Sequence, residues 1–360
     1  MDDSLEIETD VPLAPLTTLG IGGVAERFCS VRSEAALVAA LEFARANALP
    51  VTLLGGGSNV VVSDGGVRGL VVRVAPRGWD LGLAGERVLL TVAAGEPWDH
   101  VVALAVDEGL AGLEALSGIP GLTGATPVQN VGAYGQEVAD TIVSVRVVDL
   151  RTGDVRDLSK ADCDFGYRAS VLKRAPGTRA VVSVTFALRR GLAAPHRYGE
   201  LGRALGGDAP APVARVRETV LALRRSKSMV LEAPGSPERD ENARSVGSFF
   251  TNPVVSAASA AQVVETALRA ELVSRAADLP HWPEPDGRVK LAAGWLIEKS
   301  GFERGTRRGA VGVSTRHALA LVCHDGATAA ALLALADEVS DAVRTRFGVV
   351  LEREPVLLGG

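Results

Sequence analysis

Residues 116–135 read LSGIPGLTGATPVQNVGAYG, and the fold and function of the chain are read outward from this stretch. It holds five glycines and two prolines, with no Lys, Arg, Asp or Glu. Glycine costs a helix or strand backbone entropy and proline removes a main-chain donor, so the run forms neither a regular helix nor a central strand. It is too apolar for a disordered linker, which is rich in charge and Ser. Such a loop leaves N–H groups bare, and a flat ring or a pyrophosphate can lie against them. Gln129 and Asn130 add side-chain donors and acceptors for a polar ring edge. On residues alone, a buried structural loop fits this composition as well as a cofactor cradle does.

A second glycine-rich stretch, Gly55, Gly56, Gly57, Ser58 and Asn59, lies between two apolar runs, residues 51–54 and 60–62, that read as strands. Strand, GGGSN, strand differs from strand, P-loop, helix, and no GK[ST] follows, so a Walker loop is excluded. Successive Gly N–H groups with the Ser and Asn side chains can wrap a pyrophosphate, and the same residues also serve a tight turn. Earlier, PLTTLGIGG at residues 15–23 has the wrong spacing for a dinucleotide fingerprint and no strand before it.

Bulk properties narrow the classes. A chain of 360 residues has room for two or three domains. Its formal charge of -5, without any dominant Lys/Arg cluster, argues against a nucleic-acid binder. No apolar run reaches the length of a membrane span, and the acidic start MDDSLEIETD is unlike a signal peptide, so a cytoplasmic protein is expected. Cys29, Cys163 and Cys323 stand far apart and read as reduced thiols. His100, His196, His281, His317 and His324 form no ligand pattern, so no metal site is expected.

In chain order, Ser33 caps a helix carrying Leu37, Leu41 and Ala44. Strands follow at 70–74 and 88–92, and Pro97 opens a helix that Gly109 ends. Residues 142–149 and 180–188 alternate as strands, residues 192–212 read as a loop or boundary, and residues 213–225 as a helix. Residues 233–244 read as a mobile loop. Residues 258–270 and 291–300 read as helices, and HALALV at 317–322 as a strand. Residues 328–347 form an amphipathic helix stopped by Gly348, and residues 349–351 a last strand leading to Glu354. Ser248 in SVGSFFTNP is not in GxSxG and has no evident His or Asp partner, so a hydrolase nucleophile is not indicated.

Six blocks then stand in register: LLGGGSNVVVSD, LSGIPGLTGATPVQNVGAYGQE, FGYRAS, GSFFTNP, KLAAGWLIEKSG and LEREP. From about Thr17 to Leu358 the chain resembles the UDP-N-acetylmuramate dehydrogenases, also called UDP-N-acetylenolpyruvoylglucosamine reductases. The resemblance implies an α+β fold. A two-part FAD-binding region of the vanillyl-alcohol-oxidase (PCMH) type, at 1–77 and 78–226, precedes a smaller α/β substrate-binding domain at 227–360, whose tail returns to the active site. It implies NADPH-dependent reduction, through FAD, of the enolpyruvyl ether of a UDP sugar, in the making of peptidoglycan precursors. The expected partner is a nucleotide sugar, with no nucleic acid, no membrane and a monomeric state.

By the same resemblance, Gly55, Gly56, Gly57, Ser58, Asn59, Ser117, Gly118, Ile119, Pro120, Gly121, Thr123, Gly124, Ala125, Asn130 and Gly132 hold FAD. Arg168, Ser248 and Glu354 fall on the catalytic positions. Tyr198 falls on a tyrosine of the subclass that closes a loop over the substrate. Lys227 and Asn252 fall on nucleotide-sugar positions, with Tyr134 and Tyr167 as pocket walls. Thr251 stands where the family commonly has a lysine. The chemistry suits these types: Arg168 is a permanent, bidentate cation for a developing enolate-like charge. Ser248 is the candidate proton donor, with Lys227 and Tyr198 as supports. Glu354 serves either as a neutral acid or as an orienter of Arg168. GSFFTNP and the terminal glutamate separate the chain from sugar and alcohol oxidases of the same fold.

Overall fold

A computed structural model describes residues 5–195, 199–231 and 240–359. The chain divides into two compact units. The first comprises Met1–Pro12, Val24–Gly57 and Val67–Glu232, the second Leu13–Gly23, Ser58–Gly66 and Ala233–Gly360. Tyr198 and residues 233–239 of the expected mobile loop lie outside the described residues.

The first unit holds two sheets. In one, Glu8–Pro12 runs antiparallel to Val24–Val31, which is parallel to Val67–Val74, itself parallel to Val51–Leu54. Helix Glu34–Ala46 makes the crossover and buries Leu37, Ala40, Leu41 and Ala44 against Cys29, Val31, Leu70 and Val72. Ser33 caps it, its Oγ accepting from the Ala36 N–H at 3.0 Å. The strand ends at Leu54, and GGGSN begins where its pairing stops.

The other sheet is antiparallel, in the order Val155–Ser159, Ile142–Asp149, Arg179–Arg190, Arg87–Ala93 and Trp79–Ala84, with Leu110–Ala111 paired to one end of Arg179–Arg190. Helix Trp98–Asp107 packs on it through Trp98, Val101, Val102 and Ala105. Trp98 is fully buried, its ring 5.7 Å from that of Phe186, and its indole N–H donates to the Leu116 carbonyl at 3.2 Å. Trp98→Ala removes both the ring and this tie to the organising loop. It is expected to cost about 3–5 kcal/mol, read as a lowered denaturation midpoint.

The second unit is discontinuous because short segments of the N-terminal half pair and pack with the C-terminal region. Val60–Val62 pairs in parallel with Val356–Leu358, and Asp64 accepts from the Ala329 and Ala330 N–H groups at 2.7 and 2.9 Å, capping helix Ala329–Phe347. Leu19, Ile21 and Val61 join a core built from that helix, Ala257–Arg269 and Ala293–Lys299. Both expected FAD-binding stretches thus contribute to the first unit, while two of their segments belong with the C-terminal region.

Several sequence expectations are corrected. Residues 349–351 are not a strand: Val349 and Leu351 alternate because both bury in the core, and the last strand is Val356–Leu358, after LEREP. HALALV is a strand only from Leu321, since the Ala320 N–H closes a turn onto the His317 carbonyl at 3.0 Å. Residues 192–212 include a helix, Gly199–Leu205, whose Leu201 and Leu205 bury beside Val213–Ser226. The helix expected at 291–300 starts at Ala293, because Leu291 ends strand Val289–Leu291. Strands Val24–Val31 and Trp79–Ala84 escaped the reading altogether.

The thiols of Cys29, Cys163 and Cys323 are buried, and burial pushes them up to about 11, 11 and 12. No helix among the described residues is long and apolar enough to cross a membrane.

Candidate active site

In the first unit the two glycine-rich loops touch backbone to backbone. A Cβ on Gly56 would stand 3.0 Å from the Gly121 Cα and 3.3 Å from the Leu122 side chain. Gly57, Gly118 and Gly121 have φ of +63, +72 and +115°, a region that a side chain disfavours. The 121–124 segment is laced to residues 94–98: Trp98 N–H to Gly121 O, Thr123 N–H to Glu96 O, and Gly124 N–H to Ala94 O. The N–H groups of Gly56, Gly57, Ile119 and Gly121 meet no acceptor among the described residues. Several main-chain donors on two touching loops therefore remain for an anion, which fits a dinucleotide pyrophosphate.

Two of the hydroxyls expected at the cofactor are turned inward. Ser117 Oγ donates to Glu114 O at 2.7 Å and Thr123 Oγ1 to Glu96 O at 3.0 Å, both fully buried. Asn130, at φ +48°, likewise uses both ends of its amide on the protein. Its Nδ2 donates to Glu137 and to Gly166 O, and its Oδ1 accepts from the Ala139 N–H. These three side chains shape the loop, and the free donors are main-chain.

Asp99 is a residue that sequence reasoning passed over. It accepts from the Gly118 N–H at 2.5 Å and takes a two-point contact from Arg217 at 2.6 and 2.9 Å. Burial pushes its carboxyl up, but the Arg217 and Gly118 hydrogen bonds outweigh this and hold it below the ordinary range. A carboxylate depressed by folding stabilises the fold above the ordinary Asp range, and that contribution is lost as pH falls through the depressed value. Asp99→Asn is therefore expected to lose about 1 kcal/mol at neutral pH. The gap to the parent protein is expected to close on acidification, measured by urea unfolding across the acid range. The readable signal was an acid in the first turn of the helix after Pro97.

FGYRAS folds as a tight hairpin in which Gly166 and Ala169 exchange main-chain hydrogen bonds at 3.0 and 3.1 Å. Arg168 sits at its tip with φ +50°. Its guanidinium donates to Gly132 O at 2.8 Å and to Asn130 O at 3.4 Å, and lies 5.7 Å from the Tyr167 ring centroid. A Cβ on Gly132 would come within 3.3 Å of Arg168 Nη1, so glycine there admits the arginine. Tyr134 is also left-handed, at φ +51°, and Lys227 Nζ lies 5.8 Å from its ring and 2.6 Å from Glu200. Three expected site residues, Asn130, Tyr134 and Arg168, thus hold sparsely populated backbone conformations within this unit, a pattern common at functional sites.

In the second unit, residues 244–251 are paired on both sides. Toward one side, Cys323 N–H donates to Arg244 O and Phe249 N–H to Leu319 O, at 2.9 and 2.7 Å. Toward the other, Glu354 N–H donates to Phe249 O and Thr251 N–H to Glu352 O, at 2.9 and 3.0 Å. Main-chain pairing therefore draws Ser248 and Glu354 together. Asn59 joins them, its Nδ2 donating to Glu354 O at 3.2 Å. Asn252 accepts from the Ala293 N–H at 3.0 Å, opening helix Ala293–Lys299. Contrary to expectation, Ser248 has a histidine partner: its Oγ lies 3.5 Å from His317 Nε2.

Comparison with known proteins bears on both units. Residues 238–358 match the family model "UDP-N-acetylenolpyruvoylglucosamine reductase, C-terminal domain", and residues 25–159 match "FAD binding domain". The chain is 48% identical over 355 residues to the UDP-N-acetylenolpyruvoylglucosamine reductase of Thermobifida fusca, covering 97% of each. It is 47% identical over 364 residues to that of Mycobacterium tuberculosis, covering 97% of this chain and 94% of the relative. Among solved structures it is similar to the reductase of that name from Thermus caldophilus, with a TM-score of 0.64, 26% identity and 99% of each chain covered. A likeness at this identity over nearly the full length of both chains places this protein in the UDP-N-acetylenolpyruvoylglucosamine reductase family.

Proposed function

We propose that this chain reduces the enolpyruvyl ether of UDP-N-acetylglucosamine to the lactyl ether of UDP-N-acetylmuramate, with FAD resident and NADPH as the hydride donor. The reaction is a cytoplasmic step toward peptidoglycan, and the protein works as a monomer on a small nucleotide sugar. The observation that carries this reading is the full-length likeness to reductases named for that substrate. FAD, when bound, supplies a two-electron carrier between the two substrates.

The Gly56, Gly57, Ile119 and Gly121 N–H groups hold its pyrophosphate, an anion that needs donors rather than a cation here. Gly118, Gly124 and Gly132 let the loop pack closely on Leu221, Ala94 and Glu137, which sets the cradle's shape, and Pro120 and Ala125 are assigned to the same cradle. Arg168 faces the charge that builds beside the substrate carboxylate as hydride arrives, and lowers it as a fixed, planar cation. Ser248 gives its hydroxyl proton to the carbon next to that carboxylate. Glu354, brought beside Ser248 by main-chain pairing, acts as a neutral acid and donates a hydrogen bond to the carboxylate end. By the same likeness, Lys227 and Asn252 are assigned to the nucleotide sugar, with Tyr134, Tyr167 and Tyr198 as further substrate-binding residues.

An anaerobic flavin titration tests the whole reading. NADPH is expected to bleach the flavin absorbance of the loaded protein, and the enolpyruvyl sugar to restore it promptly. Failure of NADPH to bleach it removes the donor. Bleaching without restoration keeps the cofactor and removes the substrate.

A further inference from the structure

We infer that His317 is the positioning residue that re-supplies the proton lost by Ser248, an inference that rests on the reading of Ser248 as proton donor. A serine hydroxyl is a very weak acid, so donation requires a second proton carrier behind it. Within the second unit, the proton-carrying side chain that the structure places at the Ser248 hydroxyl is His317.

His317 is brought to Ser248 by main-chain register. The Arg244–Cys323 and Phe249–Leu319 hydrogen bonds and the Ser245–Val322 bridge fix the 244–249 segment along residues 319–323. His317 lies just before that paired run, in a turn with an unusually dense anchor. Ser314 Oγ accepts from the Arg316 and His317 N–H groups and donates to Asn242 Oδ1 at 2.9 Å. Asn242 Oδ1 also takes the Thr315 N–H at 2.8 Å. Ser314 and Asn242 are 1% and 4% exposed, so the turn is pinned from inside. A buried, satisfied polar network of this kind fixes geometry. The Oγ–Nε2 separation of 3.5 Å is a loose contact of the sort that tightens when a substrate is in place.

The proton balance is simple. The O–H bond of Ser248 breaks as a C–H bond forms on the substrate, leaving an alkoxide. The Nε2–H bond of the His317 imidazolium then breaks as the serine O–H re-forms, leaving a neutral imidazole that recovers its proton from solvent. Imidazole is suited to this because it both gives and takes a proton near neutrality.

The test uses the FAD-loaded full chain and stopped-flow absorbance for each half-reaction. His317→Ala is expected to slow reoxidation by the enolpyruvyl sugar roughly 10²-fold, with reduction by NADPH unchanged. Added imidazole is expected to recover part of that loss in His317→Ala and none in Ser248→Ala. The double variant is expected to be no slower than Ser248→Ala alone, as for two groups on one path. Where His317→Ala fails to hold FAD, His317→Gln carries the same comparison. A slow Ser248→Ala beside a full-rate His317→Ala overturns the relay alone. Multiplied losses in the double variant, or a loss indifferent to imidazole, also overturn it. Native-rate reoxidation in Ser248→Ala overturns the serine reading and the relay with it.

Discussion

Ser248→Ala is expected to slow reoxidation of the flavin by the enolpyruvyl sugar by roughly 10²–10⁴-fold while leaving its reduction by NADPH at the parent rate. The expectation follows from where the serine stands. Its main chain is gripped on one side by residues 319–323 and on the other by 352–354, through hydrogen bonds that need no side chain. Its neighbour Gly247 turns at φ +73°, and Phe249 and Phe250 bury completely behind it, so the backbone path survives loss of the hydroxyl. The hydroxyl itself is only half-buried, and its described contact is the loose one to His317. Removing it therefore takes away a proton and little stability, and thermal unfolding of the variant is expected within about 0.5 kcal/mol of the parent. Equal slowing of both half-reactions would instead mean that the substitution disturbs cofactor binding, and the donor role would be lost.

How far the sequence reached depends on how local each feature was. The two glycine-rich loops were legible because their composition rules out regular structure, and four of their backbone donors, at Gly56, Gly57, Ile119 and Gly121, meet no acceptor among the described residues. Ser33 and Gly348 were legible because caps are written next to the helices they serve, whereas Thr328, read as the first residue of its helix, is in fact its cap. Trp79–Ala84 was not, because an edge strand with Asp80, Gly82 and exposed Leu83 carries little alternation. Nor was the pairing of Val356–Leu358 with Val60–Val62, since neither segment holds any mark of its partner. The Ser248–His317 contact failed to show for the same reason: 69 residues separate the pair, and HALALV looks like a strand until the turn at His317 is seen. Local chemistry was readable, and non-local register was the part that only folding supplied.

Arg168 provides the second large effect and the sharper test of the charge argument. Arg168→Lys keeps a positive charge but loses the planar fork, and it is expected to cost about 10²–10³ in kcat, the scale for removing one preorganised donor at a developing anion. The backbone complicates this, because Arg168 is held at φ +50°, a conformation that lysine finds as costly as arginine does. Arg168→Lys therefore leaves the strain in place and changes the head group alone. Arg168→Gly does the reverse at the backbone: it relieves φ, but removes the contacts to Gly132 O and Asn130 O altogether. If the guanidinium is the working group, the glycine variant is no faster than the lysine variant, and both still load FAD and accept hydride from NADPH. If the strained tip matters only as a way of shaping the 130–134 loop, the glycine variant loses flavin binding while the lysine variant keeps nearly full activity. The two variants pull in opposite directions under the two accounts. Steady-state kcat and flavin content, measured on both, therefore decide whether the energy stored in this left-handed arginine serves the charge it carries or only the loop it supports.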